Sequence, residues 1–369
     1  MKTISLCIIV KNESHVIERC LRSVKPLVDY VLIVDTGSTD NTIEVARLEL
    51  LKLEMMGEVV QDTWENFAKN RTSALEMLRS REFVDYALMI DADEVLQFDD
   101  DFDIRKFKSE MDCDIYDITT RMGNITYSRP QLTSNKMEFR YEGVLHEFLV
   151  GGSNLRKSVN GFWNLPVQDS HRNKSADKYQ KDSELLKKAI ETEQDDWMKT
   201  RYTFYLAQSL RDSGNREESL EYYIKRGEMG HWGEERFISY FNVGNIMKEL
   251  DYPPSEVIQS YMKGHEILPT RVECIWGALN YCRLKGLNQQ GWILGQEAIK
   301  ITKPNDGLFI ENWIYDYGVL DEFSIVSFWA GHFQQSKEAC ERLLEENKIP
   351  HHYYDRVKSN LQFALDRLR

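Results

Sequence analysis

Short apolar runs alternate with helical patterns over roughly the first 170 residues of the chain. The predicted strands are Ile4–Val10, Tyr30–Val34, Glu58–Gln61 and Tyr86–Ile90, and the predicted helices between them are Ser14–Val24, Thr42–Met56 and Asn66–Ser80. Strands that alternate with helices of this length indicate βαβ units and a parallel sheet buried on both faces. Such sheets bind ligands at the carboxyl ends of their strands. Polar–apolar alternation from Ile115 to Phe148 predicts antiparallel strands that follow this α/β core.

The pattern changes to helices alone after about residue 175, which predicts one domain over residues 1–175 and a second over 176–369. The predicted helices are Tyr202–Leu210, Arg216–Arg226, Arg236–Leu250, Ser255–Glu266, Val272–Leu284, Gln289–Ile301 and Lys337–Glu345. Ser213–Tyr223 and Ala330–Cys340 resemble each other, each with a Gly turn followed by a helix. Units of ~34–45 residues built this way predict an all-α domain of tetratricopeptide-like repeats.

Composition narrows the classes of partner. The chain carries 60 Asp and Glu against 47 Lys and Arg, a formal net charge of −13. A duplex nucleic acid needs a basic footprint, and an anionic membrane surface would repel this charge. The six cysteines form no CxxC pair, and no apolar stretch reaches the ~18–20 residues of a membrane span. These features predict a soluble cytoplasmic protein with reduced thiols.

The strongest chemical signal is Ile90-Asp-Ala-Asp-Glu94. A buried strand would deliver Asp91 and Asp93 at its carboxyl end, one residue apart, where both carboxylates can reach one hard divalent cation. Such a cation can neutralise a diphosphate as it leaves. The alternative is a solvated acidic loop, because Asp99–Asp101 follows closely.

A second signal is Val34-Asp-Thr-Gly-Ser-Thr-Asp40. Asp35 ends an apolar strand and would accept hydrogen bonds from a base or a ribose. Gly37 permits a tight turn, and Ser38–Asp40 are predicted to cap the next helix, a role that explains them without any ligand.

The chain resembles family 2 glycosyltransferases with the GT-A fold, a Rossmann-like nucleotide-binding sheet. Four segments carry the resemblance in the order and spacing of that family: Ile8–Ser14, Val34–Asp40, Phe67–Thr72 and Ile90–Glu94. With the helical tail, the chain is similar to the bacterial, phage and viral subgroup in which this domain precedes tetratricopeptide-like repeats. Sublancin-type peptide glycosyltransferases belong to that subgroup.

The resemblance implies a donor site, residue by residue. The positions that match nucleotide-sugar-binding residues are Asn12, Glu13, Asp35, Arg71, Asp91 and Ala92. Asp93 matches the metal-binding residue, with Mn²⁺ or Mg²⁺ as the cofactor. His171 stands where a late histidine often completes the metal shell, although a loop histidine that packs at the domain junction explains it equally well. Glu94 varies in the family and is a secondary candidate, and Asn70 and Arg172 are candidate neighbours of the nucleotide.

Arg140-Tyr-Glu-Gly-Val-Leu-His-Glu147 resembles the Gly-x-x-His-Glu segment of this subgroup. An inverting transfer needs a base that takes the proton of the acceptor as it attacks. Glu147 is the predicted base, Glu142 is a second candidate, and His146 is a candidate metal or phosphate neighbour. The Glu-Asp pair of classical family 2 members is absent, and a purely structural His–Glu pair is the alternative.

The sequence therefore predicts an inverting, metal-dependent glycosyltransferase that uses a nucleoside-diphosphate sugar, with UDP favoured, and an acceptor glycan, peptide or other small molecule. The helical domain would shape the acceptor side or mediate homodimerisation. The alternatives are a catalytically inactive scaffold that binds protein partners and a nucleotidyltransferase. Motifs of dinucleotide oxidoreductases, P-loop hydrolases and α/β-hydrolases are absent from the sequence.

The aromatic residues between Trp197 and Phe241 are predicted to be repeat core, with Trp232 as a candidate platform for a sugar or peptide.

Overall fold

A computed structural model of the protein describes residues 1–123, 125–153, 155–174 and 177–369. The chain divides into two compact units, Met1–Thr192 and Glu193–Arg369. The domain boundary predicted between residues 175 and 176 lies outside the described residues.

The first unit alternates strands and helices before it becomes mainly antiparallel. Its elements are β1 (Ile4–Val10), α1 (Ile17–Val24), β2 (Tyr30–Asp35), α2 (Thr42–Lys52), β3 (Gly57–Gln61), α3 (Phe67–Arg79), β4 (Tyr86–Leu88), β5 (Glu94–Phe98), α4 (Ile104–Glu110), β6 (Ile115–Met122), β7 (Ile125–Ser134), β8 (Phe139–Glu142), β9 (Phe148–Gly151), β10 (Arg156–Pro166) and α5 (Lys178–Thr192).

The main sheet has the strand order β3-β2-β1-β4-β7-β6-β10-β5. The first four strands are parallel, β7 runs antiparallel to β4 and β6, and β8 and β9 form a separate hairpin. The predicted α/β class, with a parallel nucleotide-binding half followed by antiparallel strands, is confirmed. The parallel strands place their carboxyl ends at one edge of the sheet.

Both faces of the parallel half are covered, as its continuous apolar strands predict. On one face, Leu6 and Ile8 of β1 pack in a core that includes Leu21 of α1. On the other face, Cys7 of β1 packs in a second core that includes Leu75 of α3. Alternate residues of one strand therefore anchor two helical layers and fix where β1 ends.

The helix cap predicted from Ser38–Asp40 is confirmed only for Asp40. The N-cap of α2 is Asn41, and its side chain makes no capping hydrogen bond. Asp40 lies one residue earlier and accepts from the Thr42 N–H at 3.0 Å. The Ser38 hydroxyl instead donates to Asp35. The turn therefore stabilises the end of β2 as well as the start of α2.

The second unit is helical. Its elements are α6 (Asp196–Asp212), α7 (Arg216–Glu228), α8 (Gly233–Glu249), α9 (Pro254–Ile267), α10 (Glu273–Leu284), α11 (Asn288–Ala298), the short β11 (Ile310–Glu311), α12 (Val319–Trp329), α13 (Phe333–Glu346) and α14 (Tyr354–Leu368), with a π-helical turn at Ile314–Gly318 and a 3₁₀ turn at His351–Tyr353. The helices predicted from periodicity are present, whereas α12 and α14 of this unit, and α4 and α5 of the first unit, were missed.

Three helical hairpins turn in the same way, at Gly214, Gly286 and Gly331. These glycines have φ values of +88°, +71° and +86°, which disfavour a side chain. In each turn, the next N–H returns to the carbonyl five residues earlier, as Asn215 does to Leu210 at 2.9 Å. This is the Schellman geometry that ends a helix.

A buried serine marks the two segments that the sequence predicted to be repeats. The Ser219 hydroxyl donates to the Ala207 carbonyl at 2.7 Å, and the Ser336 hydroxyl donates to the Ser324 carbonyl at 2.8 Å. In both hairpins, a serine of the second helix donates a hydrogen bond to the carbonyl 12 positions earlier, in the first helix. The predicted tetratricopeptide-like repeat organisation is confirmed.

Aromatic residues that were predicted to be repeat core are buried in this unit. Tyr202, Phe204 and Phe237 are buried, and Trp232 is 44% exposed. All six cysteines are buried free thiols. Within the described ranges, no helix combines the length and apolar character that crossing a membrane requires.

Replacement of Gly277 by Ala is expected to destabilise the helical unit by about 2 kcal/mol, the cost of overpacking a core. The new Cβ would lie 2.5 Å from the Tyr261 ring, which a 2.7 Å hydrogen bond to Asn245 holds in place. Gly233→Ala, whose Cβ meets only ordinary contacts at 3.8 Å, is the matched control and should be neutral or stabilising. Urea unfolding followed by circular dichroism measures both, and equal midpoints would contradict the packing described.

Candidate active site

The loops that follow β1, β2 and β4 meet at the carboxyl edge of the sheet. They carry Asn12 and Glu13 after β1, Asp35 at the end of β2, and Asp91 and Asp93 after β4. The Met89 N–H donates to the Gln131 carbonyl at 2.7 Å and ties the chain leaving β4 to β7. The sheet topology therefore brings together the residues that the sequence predicted for a donor site.

Asn12 joins the loops after β1 and β2. It has a left-handed backbone, with φ of +57°, which asparagine tolerates better than most residues. Its side-chain oxygen accepts from the Thr39 N–H at 2.7 Å, and its own N–H donates to the Ser38 hydroxyl at 2.9 Å. The contacts assign Asn12 a structural task, and its predicted contact with a nucleotide stays a prediction.

Asp35 is fully buried, and its carboxylate is used within its own turn. It accepts from the N–H groups of Gly37 and Ser38, both at 3.0 Å, and from the Ser38 hydroxyl. A base or ribose could reach this carboxylate only if the turn rearranged. Its predicted ligand role stays a prediction.

Glu13 lies among carboxylates. It is 8% exposed, and its side chain accepts from the His171 N–H at 3.3 Å. Burial is the largest cause of a pKa of about 7 for Glu13; the charges of Asp93 and Asp91 also raise that pKa, and the His171 hydrogen bond lowers it. Glu13 is therefore a buried carboxyl group that lies close to two further carboxylates.

Arg71 of α3 connects two sides of the site. Its Nε donates to Glu147 Oε1 at 2.6 Å, and its Nη2 donates to Asp91 Oδ1. The guanidinium is 10% exposed, the Glu147 side chain 12% and the Asp91 side chain 42%, so Asp91 is the member open to a ligand.

The charges in this group set the protonation states. Desolvation raises the pKa of Asp91, but Arg71 and then Arg129 outweigh it, so that pKa lies below its ordinary value. Burial lowers the pKa of Arg71, but Asp91 and Glu147 raise it well above the ordinary value. Arg71 is therefore a permanent cation between carboxylates.

Asp93 is bound by the segment that follows β10. Its Oδ2 accepts from the Ser170 N–H and from the Asn173 side-chain amide, both at 3.1 Å. The segment is anchored by Arg19, whose guanidinium makes two hydrogen bonds of 2.6 and 2.9 Å to Asp169. Asp93 is 7% exposed and directs its carboxylate toward these neutral donors.

The predicted metal shell is not assembled. Among the described residues, no three His, Cys, Asp or Glu side chains group in a way that could hold a metal ion. His171 is exposed and is fixed through its backbone N–H to Glu13. The carboxylates of Asp91 and Asp93 do suit a hard divalent cation, whose charge would offset theirs.

Glu94 orients the Asp-Ala-Asp turn, in which Ala92 is buried. Glu94 is 3% exposed and accepts from the Asp91 N–H at 2.9 Å, from Gln131 at 3.3 Å and from the Arg129 guanidinium. Sequence reasoning missed Arg129, although a charged residue within a predicted strand at this edge was an available signal.

The β8–β9 hairpin presents Glu147. The Tyr141 N–H donates to the Thr72 hydroxyl of α3 at 2.9 Å, and His146 precedes Glu147 with a left-handed φ of +51°. Glu142 instead pairs with Arg140 of the same strand at 2.5 Å, and its side chain is 39% exposed. Of the two candidate bases, Glu147 is the one that contacts the Arg71 group.

Two further residues named from the sequence have structural partners. Asn70 is 1% exposed and bonds to the loop after β3, including the Thr63 carbonyl at 2.9 Å. Arg172 pairs with Asp182 of α5 and lies 4.6 Å from the centre of the Phe67 ring.

Sequence reasoning also missed Trp64. It lies in the loop after β3, is 37% exposed and packs edge-on against Phe67 with ring centres 4.9 Å apart. Lys11, directly after β1, has its ammonium 5.9 Å from the Trp64 ring centre. Because β2 lies between β3 and β1, this pair spans the end of β2, where Asp35 lies.

Residues 5–160 match the model of glycosyl transferase family 2. The first unit therefore contains a family 2 glycosyltransferase domain. Together with the helical hairpins of the second unit, this match confirms the predicted order of a family 2 domain followed by tetratricopeptide-like repeats.

Curated relatives share parts of the chain. A tetratricopeptide-repeat-containing protein of Synechococcus elongatus is 29% identical over 154 residues, which cover 40% of this chain and 36% of that protein. An uncharacterised glycosyltransferase of Rickettsia prowazekii is 38% identical over 96 residues, 26% of this chain and 30% of that protein. The prophage-derived glycosyltransferase SunS of Bacillus subtilis is 24% identical over 242 residues, 60% of this chain and 53% of SunS. The chain thus spans about a third to a half of the length of these relatives.

Two solved structures are similar at low identity. Staphylococcus aureus TarS 1–349 in complex with UDP-GlcNAc is 13% identical, with a TM-score of 0.37 over 84% of this chain and 99% of that chain. A tetratricopeptide repeat protein of Parabacteroides merdae is 13% identical, with a TM-score of 0.39 over 52% of this chain and 68% of that chain.

Replacement of Glu13 by Gln is expected to stabilise the first unit increasingly as pH rises from 5 to 8. The folded pKa of about 7 exceeds the ordinary 4.5, so the stability contributed by protonated Glu13 is lost as pH rises through 7. The gain at pH 8 should be about 1–2 kcal/mol after solvent screening. Urea unfolding at both pH values measures it. Glu142→Gln, at an exposed carboxylate, is the control, and an equal pH response of both variants would contradict the assignment.

Proposed function

We propose that this protein is an inverting glycosyltransferase that transfers a sugar from a nucleoside-diphosphate sugar, with UDP favoured, to an acceptor. One observation carries the proposal: within a family 2 domain, Arg71 joins Asp91 of the Asp-Ala-Asp turn to Glu147, at the sheet edge where ligands bind. The relatives named above as glycosyltransferases support sugar transfer as the reaction class.

The donor would lie along the loops after β1, β2 and β4, with its diphosphate near Asp91 and Asp93. These two carboxylates would hold Mn²⁺ or Mg²⁺, with His171 as a further candidate ligand. The cation, when bound, would offset the charge that develops on the leaving diphosphate. Arg71 would face the same diphosphate, since a guanidinium pairs well with phosphate oxygens.

Glu147 would act as the general base. It would take the proton of the acceptor hydroxyl, or of a thiol, while the acceptor atom forms its bond to the anomeric carbon. The bond from that carbon to the diphosphate oxygen breaks on the opposite side, and the nucleoside diphosphate leaves with the electron pair. The acceptor would be a glycan, a peptide or another small molecule, and the helical unit would bind it or mediate homodimerisation.

An inactive scaffold is the rival function. Burial and the nearby carboxylates raise the pKa of Glu13, which costs stability at neutral pH, and a domain without a donor would gain nothing from this arrangement. The charge at the strand ends therefore favours an enzyme that binds a cation and a diphosphate.

Replacement of Asp93 by Asn is expected to abolish metal-dependent nucleotide binding. In the wild type, one of UDP, GDP, ADP, CDP or dTDP with Mn²⁺ should stabilise the fold by about 2.7 kcal/mol at ~100 Kd. Thermal shift and calorimetry with and without Mn²⁺ measure the effect. Asp100→Asn, at an exposed acidic position, is the control and should bind like the wild type. A wild type that binds none of the five would overturn the proposal and favour the scaffold.

Replacement of Trp64 by Ala is expected to weaken binding of the preferred nucleoside diphosphate by about 5- to 100-fold, because stacking on a base is worth ~1–3 kcal/mol. The exposed ring spans the end of β2 and would offer one face to the base. Calorimetry measures the affinity. Trp232→Ala, which removes an exposed tryptophan of the second unit, is the control. Equal affinities for both variants would exclude Trp64 from the base site.

A further inference from the structure

Asp91 and Glu147 share one guanidinium. Arg71 Nε donates to Glu147 at 2.6 Å, while its Nη2 donates to Asp91. The two carboxylates come from different parts of the fold, one from the turn after β4 and one from the β8–β9 hairpin. The ring of Tyr141, 5.8 Å from the guanidinium carbon, lies beside the group.

The pairing with Arg71 affects Glu147, the proposed base, and Asp91, which would lie near the diphosphate, in different ways. Glu147 Oε1 accepts the Arg71 Nε hydrogen bond at 2.6 Å, so this oxygen is not available to the hydroxyl or thiol of an acceptor. Asp91 is the more exposed of the two carboxylates. A ligand that enters on the Asp91 side therefore reaches Arg71 before it reaches Glu147.

A diphosphate would compete for the same cation. Its oxygens accept charge-assisted hydrogen bonds from a guanidinium in the same way as a carboxylate does. A diphosphate near Asp91 would therefore draw Arg71 toward itself. The Arg71 side chain is 10% exposed, and its Nε and Nη2 are already bonded to Glu147 and Asp91.

We propose that Arg71 is a shared guanidinium, held by Glu147 before the donor binds and passed to the diphosphate when it arrives. Donor binding would then free Glu147 Oε1 to accept a hydrogen bond from the acceptor, so the base meets the acceptor only when there is a donor to react with. Arg71 is in this respect a positioning residue for Glu147. The inference rests on the proposed function.

Competition between Glu147 and the diphosphate for Arg71 predicts the direction in which the affinity for the diphosphate changes. If the diphosphate must take Arg71 from Glu147, then removing the charge of Glu147 makes the diphosphate bind more tightly, since the coupling between two sites is reciprocal. A residue that served only as a base would not change nucleotide affinity, and one needed for the architecture of the site would weaken it.

The test is calorimetric titration of UDP with Mn²⁺, and of uridine, into the full chain. Glu147→Gln should bind UDP at least about fivefold more tightly than the wild type, because a charge-assisted hydrogen bond no longer competes. Uridine affinity should not change. In an Arg71→Gln background, the added Glu147→Gln replacement should bring no gain, which assigns the effect to Arg71.

The matched control is Glu49→Gln. Glu49 accepts from Arg22 Nε at 2.6 Å, the same atoms and distance as in the Arg71–Glu147 pair, but it belongs to α2 and its partner to α1. This variant should bind UDP like the wild type. Glu147→Ala serves as a second variant if the Gln variant loses its cooperative thermal transition, and the same tightening is expected.

Unchanged or weaker UDP binding in the folded Glu147 variants, with normal binding by the wild type, would overturn the shared guanidinium and leave the proposed function intact. A gain that persists in the Arg71→Gln background would overturn it as well. A wild type that binds no nucleoside diphosphate would overturn both.

Discussion

Negative charge that converges at one edge of the sheet is the constraint on which the site depends. Arg71 holds two carboxylates, Asp91 and Glu147, and Arg129 holds Glu94. Asp93 has neutral donors, and Glu13 keeps a pKa near 7. Such a group of carboxylates is suited to a ligand that brings its own cation.

The fold supplies this arrangement through topology. The parallel strands β1, β2 and β4 must end at the same edge, so the loops that follow them meet whatever their sequence. The segment after β10 then returns to this edge, where Ser170 and Asn173 bind Asp93 and the His171 N–H binds Glu13. The same segment is tied to α1 by Arg19. The family 2 domain therefore holds the carboxylates of its site in place with backbone and amide donors.

Much of this organisation could be predicted from sequence. Apolar runs and helical periodicity gave the parallel half of the sheet and most helices of the second unit, because both depend on local patterns. The placement of Asp91 after a buried strand followed from the same reasoning. The Gly turns of the repeats could also be predicted, because the backbone at Gly214 and Gly331 disfavours a side chain.

Contacts between distant residues could not be predicted. Arg71 and Glu147 are 76 positions apart, and no local pattern indicates that they pair. Trp64 reaches across the end of β2 only because β3 and β1 flank that strand. The placement of His171 depends on how one short segment folds back, which no motif indicates, and its role as a metal ligand stays a prediction. Such features arise from tertiary packing, which periodicity and motif spacing do not encode.

A structure of the protein with UDP and Mn²⁺ bound tests the central claim most directly. The account predicts the diphosphate at the carboxyl edge of the sheet, with Mn²⁺ on Asp93 and the Arg71 guanidinium on a phosphate oxygen. A nucleotide bound elsewhere, or a complex in which Arg71 still joins Asp91 to Glu147, would contradict it.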